Sequence, residues 1–166
     1  MQWKLLQSVT HLEPARSIRG TARTDYPSTL FADHFPSFPV TPGVLLLEIC
    51  AQLGGLLVQA TVLDTEDRWV FPVLAMVRHA KFIQFVGPEV EVEIEASLRD
   101  QPDTTATCRA QVSIDGQRCV AADVVYSINA EDMLKDADAA ELKTCAVAEY
   151  RRLESPWLPS LPTEAG

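Results

Sequence analysis

The sequence predicts an α+β fold in which an antiparallel sheet wraps one long apolar helix. Three observations lead there. The run from Val44 to Val58 is apolar around most of its circumference, the pattern of a helix enclosed by other elements. In Val90, Val92, Ile94, Ala96 and Leu98 the apolar positions alternate with Glu91, Glu93, Glu95, Ser97 and Arg99, so a strand there has one buried face and one wet face. Extended patches lie on both sides of the helix in the chain, which lets one sheet enclose it. At 166 residues the chain is long enough for one well-buried core and too short for two ordinary domains.

The elements follow in order. Residues 4–31 hold short extended patches, among them Ala15 to Thr24, where Ile18 and Ala22 alternate with Arg19 and Arg23 between the breaks at Pro14 and Pro27. The helix begins near Pro42: Thr41 suits the cap, Pro42 the first helical position, and Gly43 leaves the next backbone N–H open to approach. Gly54 and Gly55 each cost a helix interior about 0.8–1 kcal/mol relative to alanine, which predicts that another backbone comes close there. From Trp69 to Ile128 the chain reads as successive strands. Ala110, Val112 and Ile114 lead to Asp115-Gly116, a dipeptide suited to a tight hairpin, and Arg118 to Ile128 forms the return strand. After Asn129 the composition turns to Ala, Glu, Asp, Leu and Lys. Asn129 with Asp132 resembles a helix cap with a first-turn acid, opening a helix over about 130–153 with Met133, Leu134, Leu142, Cys145 and Leu153 as an interrupted apolar stripe. Pro156, Pro159 and Pro162 preclude regular structure beyond it, and the last residues are expected to be mobile. The expected organisation is a principal unit over 1–129 and a C-terminal helical extension over 130–166.

Charge and cysteine usage narrow the function classes. A net charge of −9 with no basic tract argues against nucleic acid, whose non-specific binding rests on clustered Lys and Arg. The first residues are too polar for a signal peptide, and the run from Val44 to Val58 is shorter than a bilayer span and broken by Glu48 and Gln52, so the expectation is a cytoplasmic protein without a membrane span. Cys50, Cys108, Cys119 and Cys145 have neither C-x-x-C spacing nor a histidine cluster beside them; neither a metal site nor a disulfide framework is expected, and no cofactor. His11 and His79 read as strand or surface residues.

The chemistry concentrates between Ala32 and Gln52. Glu48 is the anomaly of the helix, because a buried carboxylate is either neutralised or paired, and Gln52 sits one turn on along the same face. His34 precedes it in a loop fixed by Phe35-Pro36 and Phe38-Pro39. Alone, Glu48 reads as a helix acid reaching solvent and His34 as a turn residue. Together with an open helix start at Gly43, which favours negative charge, they supply three complementary roles of an acid/base site.

These residues resemble a known family. His34-Phe35-Pro36, Pro39-Val40, Pro42-Gly43-Val44, Glu48 and Ala51-Gln52 match, in order and spacing, the signature of the β-hydroxyacyl-ACP dehydratases of FabZ type. Leu12-Glu13-Pro14 precedes the loop, and Ala80-Lys81-Phe82 stands at the family's Ala-Arg-Phe segment, so the resemblance covers roughly residues 3–128. It implies a hotdog fold, a long central helix wrapped by a curved antiparallel sheet, paired into a homodimer or an oligomer of dimers whose sheets join. It implies dehydration of a β-hydroxyacyl thioester carried by acyl carrier protein or CoA, with no cofactor. His34 is then the base, Glu48 the acid on the departing hydroxyl, the Gly43 N–H the donor to the thioester carbonyl, and Gln52 and Phe35 supporting residues, with His34 and Glu48 of one site drawn from different subunits. Ser37 stands where many members carry glycine, and Gly87-Pro88-Glu89 replaces the family's Pro-Gly-Asp turn. An acidic carrier requires a local basic patch, for which Arg78 and Lys81 are candidates, as are Arg16, Arg19 and Arg23. A hotdog thioesterase and a non-catalytic acyl-binding subunit are the alternative readings.

Overall fold

The computed structural model describes residues 4–32, 37–129 and 138–159. Its sheet has six strands, all antiparallel to their neighbours: β1 Leu6–Glu13, β2 Ser17–Arg23, β3 Val73–Phe82, β4 Glu91–Asp100, β5 Thr105–Ile114 and β6 Gln117–Ser127, in the spatial order β1-β2-β4-β5-β6-β3. A short helix α1, Ser28–Ala32, follows β2. The long helix α2, Gly43–Glu66, crosses the concave side and packs against strands from both flanks of the sequence, as the α+β prediction requires.

Alternation works as predicted in β4, where Val92, Ile94 and Ala96 are buried against α2 and Glu91, Glu93 and Glu95 face water. Ile18 and Ala22 do the same in β2. β1 gives no such signal because its register shifts between Leu6 and Ser8 and again between Val9 and His11, so Leu6, Val9 and Leu12 reach the core at a spacing of three. The β5–β6 hairpin turns on Asp115 at φ 49° and Gly116 at φ 74°, the positive angles the dipeptide predicted.

Helix α2 runs beyond the predicted apolar stretch to Glu66, where Asp67 adopts the left-handed conformation and donates its N–H to the Leu63 carbonyl. At 24 residues, with a mean hydropathy of 1.7 in its most apolar window, it is long and apolar enough to cross a bilayer, contrary to the expected shortfall. Yet 61% of that window is buried within the protein, and enclosure by the sheet accounts for its composition.

Two local expectations are corrected. Thr41 does not cap α2; Pro42 holds the cap position, and the Thr41 hydroxyl donates instead to the Gly87 carbonyl at 2.9 Å. The Thr24 hydroxyl reaches the same carbonyl at 2.8 Å, so Gly87-Pro88-Glu89 ties the end of β2 to the entry of α2 and fixes where the helix starts. The close approach at Gly54 comes from a side chain rather than a backbone. A Cβ there would stand 2.4 Å from the Tyr126 phenol oxygen of β6, whose hydroxyl donates to the Ala51 carbonyl at 2.8 Å.

The extension is also sharper than predicted. Helix α3, Ala139–Arg152, starts at Asp138, whose carboxylate accepts from the N–H groups of Ala140 and Glu141; Asp132, Met133 and Leu134 lie outside the described residues. Its buried side is Val147, Tyr150 and then Leu153, whereas Cys145 is exposed. The helix docks on β1 and α2. The Val9 N–H bonds the Leu153 carbonyl at 2.8 Å, the Arg152 guanidinium bonds the Leu6 carbonyl, and the Tyr150 hydroxyl bonds the Leu56 carbonyl. Trp157, expected in a mobile end, lays its ring against Tyr150 at 5.2 Å between centroids.

Candidate active site

Glu48 lies half-buried on α2 at the rim of a cleft of about 400 Å³ that also takes in Gln52, Leu56, Phe71 and Tyr126. One turn of helix separates Glu48 from Gln52, and the Gln52 amide donates to a Glu48 oxygen at 2.9 Å. The Leu5 N–H, just ahead of β1, donates to the other end of that amide at 3.2 Å. These two contacts fix which end of the Gln52 amide faces the carboxylate, so the start of the chain sets the aim of Glu48 through Gln52. The expected pairing of the two residues is present, but Glu48 is not sealed in the core of the single chain.

Tyr126 forms the floor. It is 2% exposed, and burial raises its phenol well above the usual range, with Cys108, Cys50 and Glu48 adding to the rise. It therefore stays neutral and remains a hydrogen-bond donor to Ala51. Cys50 and Cys108 behind it are thiols that burial pushes up to about 12, which makes them core groups rather than nucleophiles.

Gly43 opens into a different recess of about 320 Å³, lined by Val40, Val44, Phe82, Phe85 and Val86. As the first helical residue its N–H has no acceptor within the helix. The Phe82 ring lies over it, and a Cβ at position 43 would come within 2.7 Å of that ring. Gly43 and Glu48 are about 7.5 Å apart along the axis and more than a third of a turn apart around it. One chain therefore does not bring the two into a single cleft.

His34 and Phe35 lie outside the described residues. The edge strand β3 and the segment after it expose Leu74, Met76, Phe82, Ile83 and Phe85, beside the exposed Val44. Of the carrier-docking candidates, Lys81 joins His79, Arg109 and Arg118 in a shallow polar recess on the outer face of β3, β5 and β6, while Arg78 is on β3 without lining it. Arg109 is engaged by Asp123 at 2.8 Å, Arg16 by Glu13 at 2.8 Å and Arg23 by Asp25 at 2.7 Å.

The FabA-like domain matches residues 2–123, which takes in every strand but the end of β6 and the whole of α2. This chain belongs to the FabA-like family. Among its relatives, a protein of Rickettsia bellii (strain RML369-C) named 3-hydroxyacyl-(acyl-carrier-protein) dehydratase FabZ is 32% identical over 113 residues, 68% of this chain and 77% of the relative. One of the same name from Clostridium acetobutylicum is 27% identical over 124 residues, 75% of this chain and 86% of that one. The FabZ-type resemblance in the sequence is thereby borne out. Among solved structures, the dehydratase heterocomplex ApeI:P from Xenorhabdus doucetiae superposes with a TM-score of 0.63 at 14% identity, covering 83% of this chain and 92% of that one. A hypothetical thioesterase with coenzyme A from Streptococcus pneumoniae TIGR4 gives 0.58 at 14% identity, covering 74% and 84%. Both likenesses speak to the hotdog fold alone. The FabA-like match ends at residue 123, before α3.

Sequence reasoning missed several contributors to the site. Leu5 acts through its backbone and carries no side-chain signal. Phe82 belongs to the Ala80-Lys81-Phe82 segment, which carries no sign of the ring's position over Gly43. Tyr126 was signalled only by the glycine it requires at position 54, and the pairing of Lys4 with Glu149 had no signal, since residues so far apart in sequence share no local pattern.

Proposed function

We propose that the protein dehydrates β-hydroxyacyl thioesters to trans-2-enoyl thioesters, on acyl carrier protein or CoA, in fatty acid or related acyl-chain synthesis in the cytoplasm. The observation that carries the reading is the Leu5–Gln52–Glu48 relay inside a cleft of a FabA-like fold, which holds one carboxyl in a fixed orientation beside apolar surface. In this reading a base, His34, takes the proton from C2. The electron pair forms the C2–C3 double bond as the C3 hydroxyl leaves, and Glu48 delivers the proton that makes it water. Charge that builds on the thioester oxygen meets the Gly43 N–H at the helix start.

The separation of Gly43 from Glu48 within one chain supports a site built from two subunits, with Gly43 and His34 from one and Glu48 from the other. The apolar side chains exposed along the β3 edge supply a surface for that pairing. Residues 1–129 would act as the dehydratase unit and 130–166 as an accessory extension. Lys81 with Arg118 offers the basic recess for an acidic carrier.

A two-signal assay tests the reaction class. The protein is incubated with a trans-2-enoyl thioester while loss of the conjugated chromophore and release of free thiol are followed together. Chromophore loss without thiol supports the dehydratase, run in reverse. Thiol release without hydration would replace it with a thioesterase, and neither signal on either carrier would leave an acyl-binding subunit.

A further inference from the structure

We propose that Arg152 is a positioning residue for Glu48: it holds the Leu6 carbonyl, and so keeps the neighbouring Leu5 N–H on the Gln52 amide that aims the carboxyl. The inference deepens the dehydratase reading and rests on it for the part Glu48 plays. Arg152 is the last residue of α3, beyond the residues 2–123 that the FabA-like domain matches. Two of its guanidinium nitrogens donate to the Leu6 carbonyl, each at 3.0 Å. Its Nε donates to a Glu149 oxygen at 3.0 Å, and Lys4 Nζ stands 3.3 Å from the same oxygen. Leu5 is thus bracketed, with Lys4 before it and Leu6 after it both tied to α3.

Leu5 depends on such a hold because it lies just outside the sheet. Strand β1 is an edge strand that begins at Leu6, and its register against β2 shifts between Leu6 and Ser8. The end of an edge strand beside a bulge opens readily, and an N–H that opens no longer fixes the side chain it bonds. Helix α3 opposes this because it is itself fastened to α2, the helix that carries Glu48. The Tyr150 hydroxyl, on a fully buried ring, donates to the Leu56 carbonyl at 2.8 Å, about two turns along α2 from Glu48. The Leu153 carbonyl accepts from the Val9 N–H of β1 at 2.8 Å. Strand and helix are therefore clamped to each other through α3, and Arg152 makes the contact on the residue next to Leu5. A guanidinium suits that task, since its donors lie in one plane and reach a carbonyl and a carboxylate together.

The test is a double-mutant cycle on the whole chain between Arg152→Met, which keeps the apolar stem and removes every donor, and Gln52→Ala. Enoyl thioester hydration is read together with backbone amide exchange at Leu5 by NMR. Arg152→Met is expected to lower kcat about tenfold with KM changed by less than about twofold, and to speed exchange at Leu5 about tenfold. Arg152→Lys, which returns a cationic donor, is expected to recover most of kcat. In Gln52→Ala the link is already gone, so Arg152→Met should cost less than about twofold more. Equal losses in the two backgrounds, an unchanged kcat in Arg152→Met, or a loss confined to KM overturns the proposal. Arg152→Gln is taken through the same cycle and decides the matter if Arg152→Met does not fold. Hydration by the unmodified protein with Leu5 exchange unmoved in the variants sinks the positioning role and leaves the dehydratase. Faster exchange at Leu5 in Arg152→Met, without hydration by any of the proteins, keeps the relay from Arg152 to Gln52 and sinks the dehydratase.

Discussion

Gly54→Ala is the most informative single change in the core beneath the candidate site. Alanine is the better helix former by about 1 kcal/mol, so propensity alone predicts a gain in stability. The structure predicts a loss. The new Cβ would lie 2.4 Å from the Tyr126 oxygen and 3.2 Å from its Cζ, and Tyr126, at 2% exposed, has no solvent to swing into. Overpacking of this kind costs roughly 1–3 kcal/mol, and displacing the phenol also weakens its bond to Ala51, about 1 kcal/mol more. The net expectation is a destabilisation of about 1–3 kcal/mol after the helix gain is subtracted. Tyr126→Phe removes the clashing atom, so Gly54→Ala made in that background should be close to neutral. Urea unfolding of the four proteins at one fixed concentration gives the coupling directly. Equal effects of Gly54→Ala in both backgrounds would refute the assignment of Tyr126 as the reason for the glycine.

Other outcomes follow from the same contacts. Gln52→Ala removes the link between Leu5 and Glu48, and hydration of an enoyl thioester should fall by about 10- to 100-fold, mostly in kcat, with an unchanged thermal transition. Burial acts to raise the Glu149 carboxyl, but the hydrogen bonds and charges of Arg152 and Lys4 outweigh it and hold the group below its usual value. A folded-state value below the unfolded one gives stability that is present above the unfolded pKa, near about 4.3, and lost as pH falls through the folded one. Acidification below about pH 4 should therefore loosen α3 from β1, seen as a change in Trp157 emission once Trp3 and Trp69 are replaced by Phe, and Glu149→Gln should flatten that response.

The central helix and the sheet around it were legible because their signals are local. Apolar character on all sides of α2 and strict alternation in β4 each follow from burial of a single element. β1 was only loosely legible, since its two register shifts break the period on which strand recognition depends. The cap at Thr41 was misread because a hydroxyl beside a helix start has other acceptors, here a carbonyl 46 residues away. For the site, Glu48 and Gln52 declared themselves by polarity within an oily helix, and their mutual bond follows from helical spacing. The contact of Gln52 with Leu5 spans 47 positions, and Lys4 pairs with Glu149 of α3 from a still greater distance along the chain; such separations carry no sequence pattern.

The role of Glu48 admits a direct measurement. In the enoyl thioester hydration assay, Glu48→Gln keeps the shape and the neighbourhood of Gln52 while removing the group that exchanges the proton. The predicted result is a loss of about 10²- to 10⁴-fold in kcat with thermal unfolding unchanged. Retention of hydration within about threefold of the unmodified protein would contradict the assignment of Glu48 as the acid.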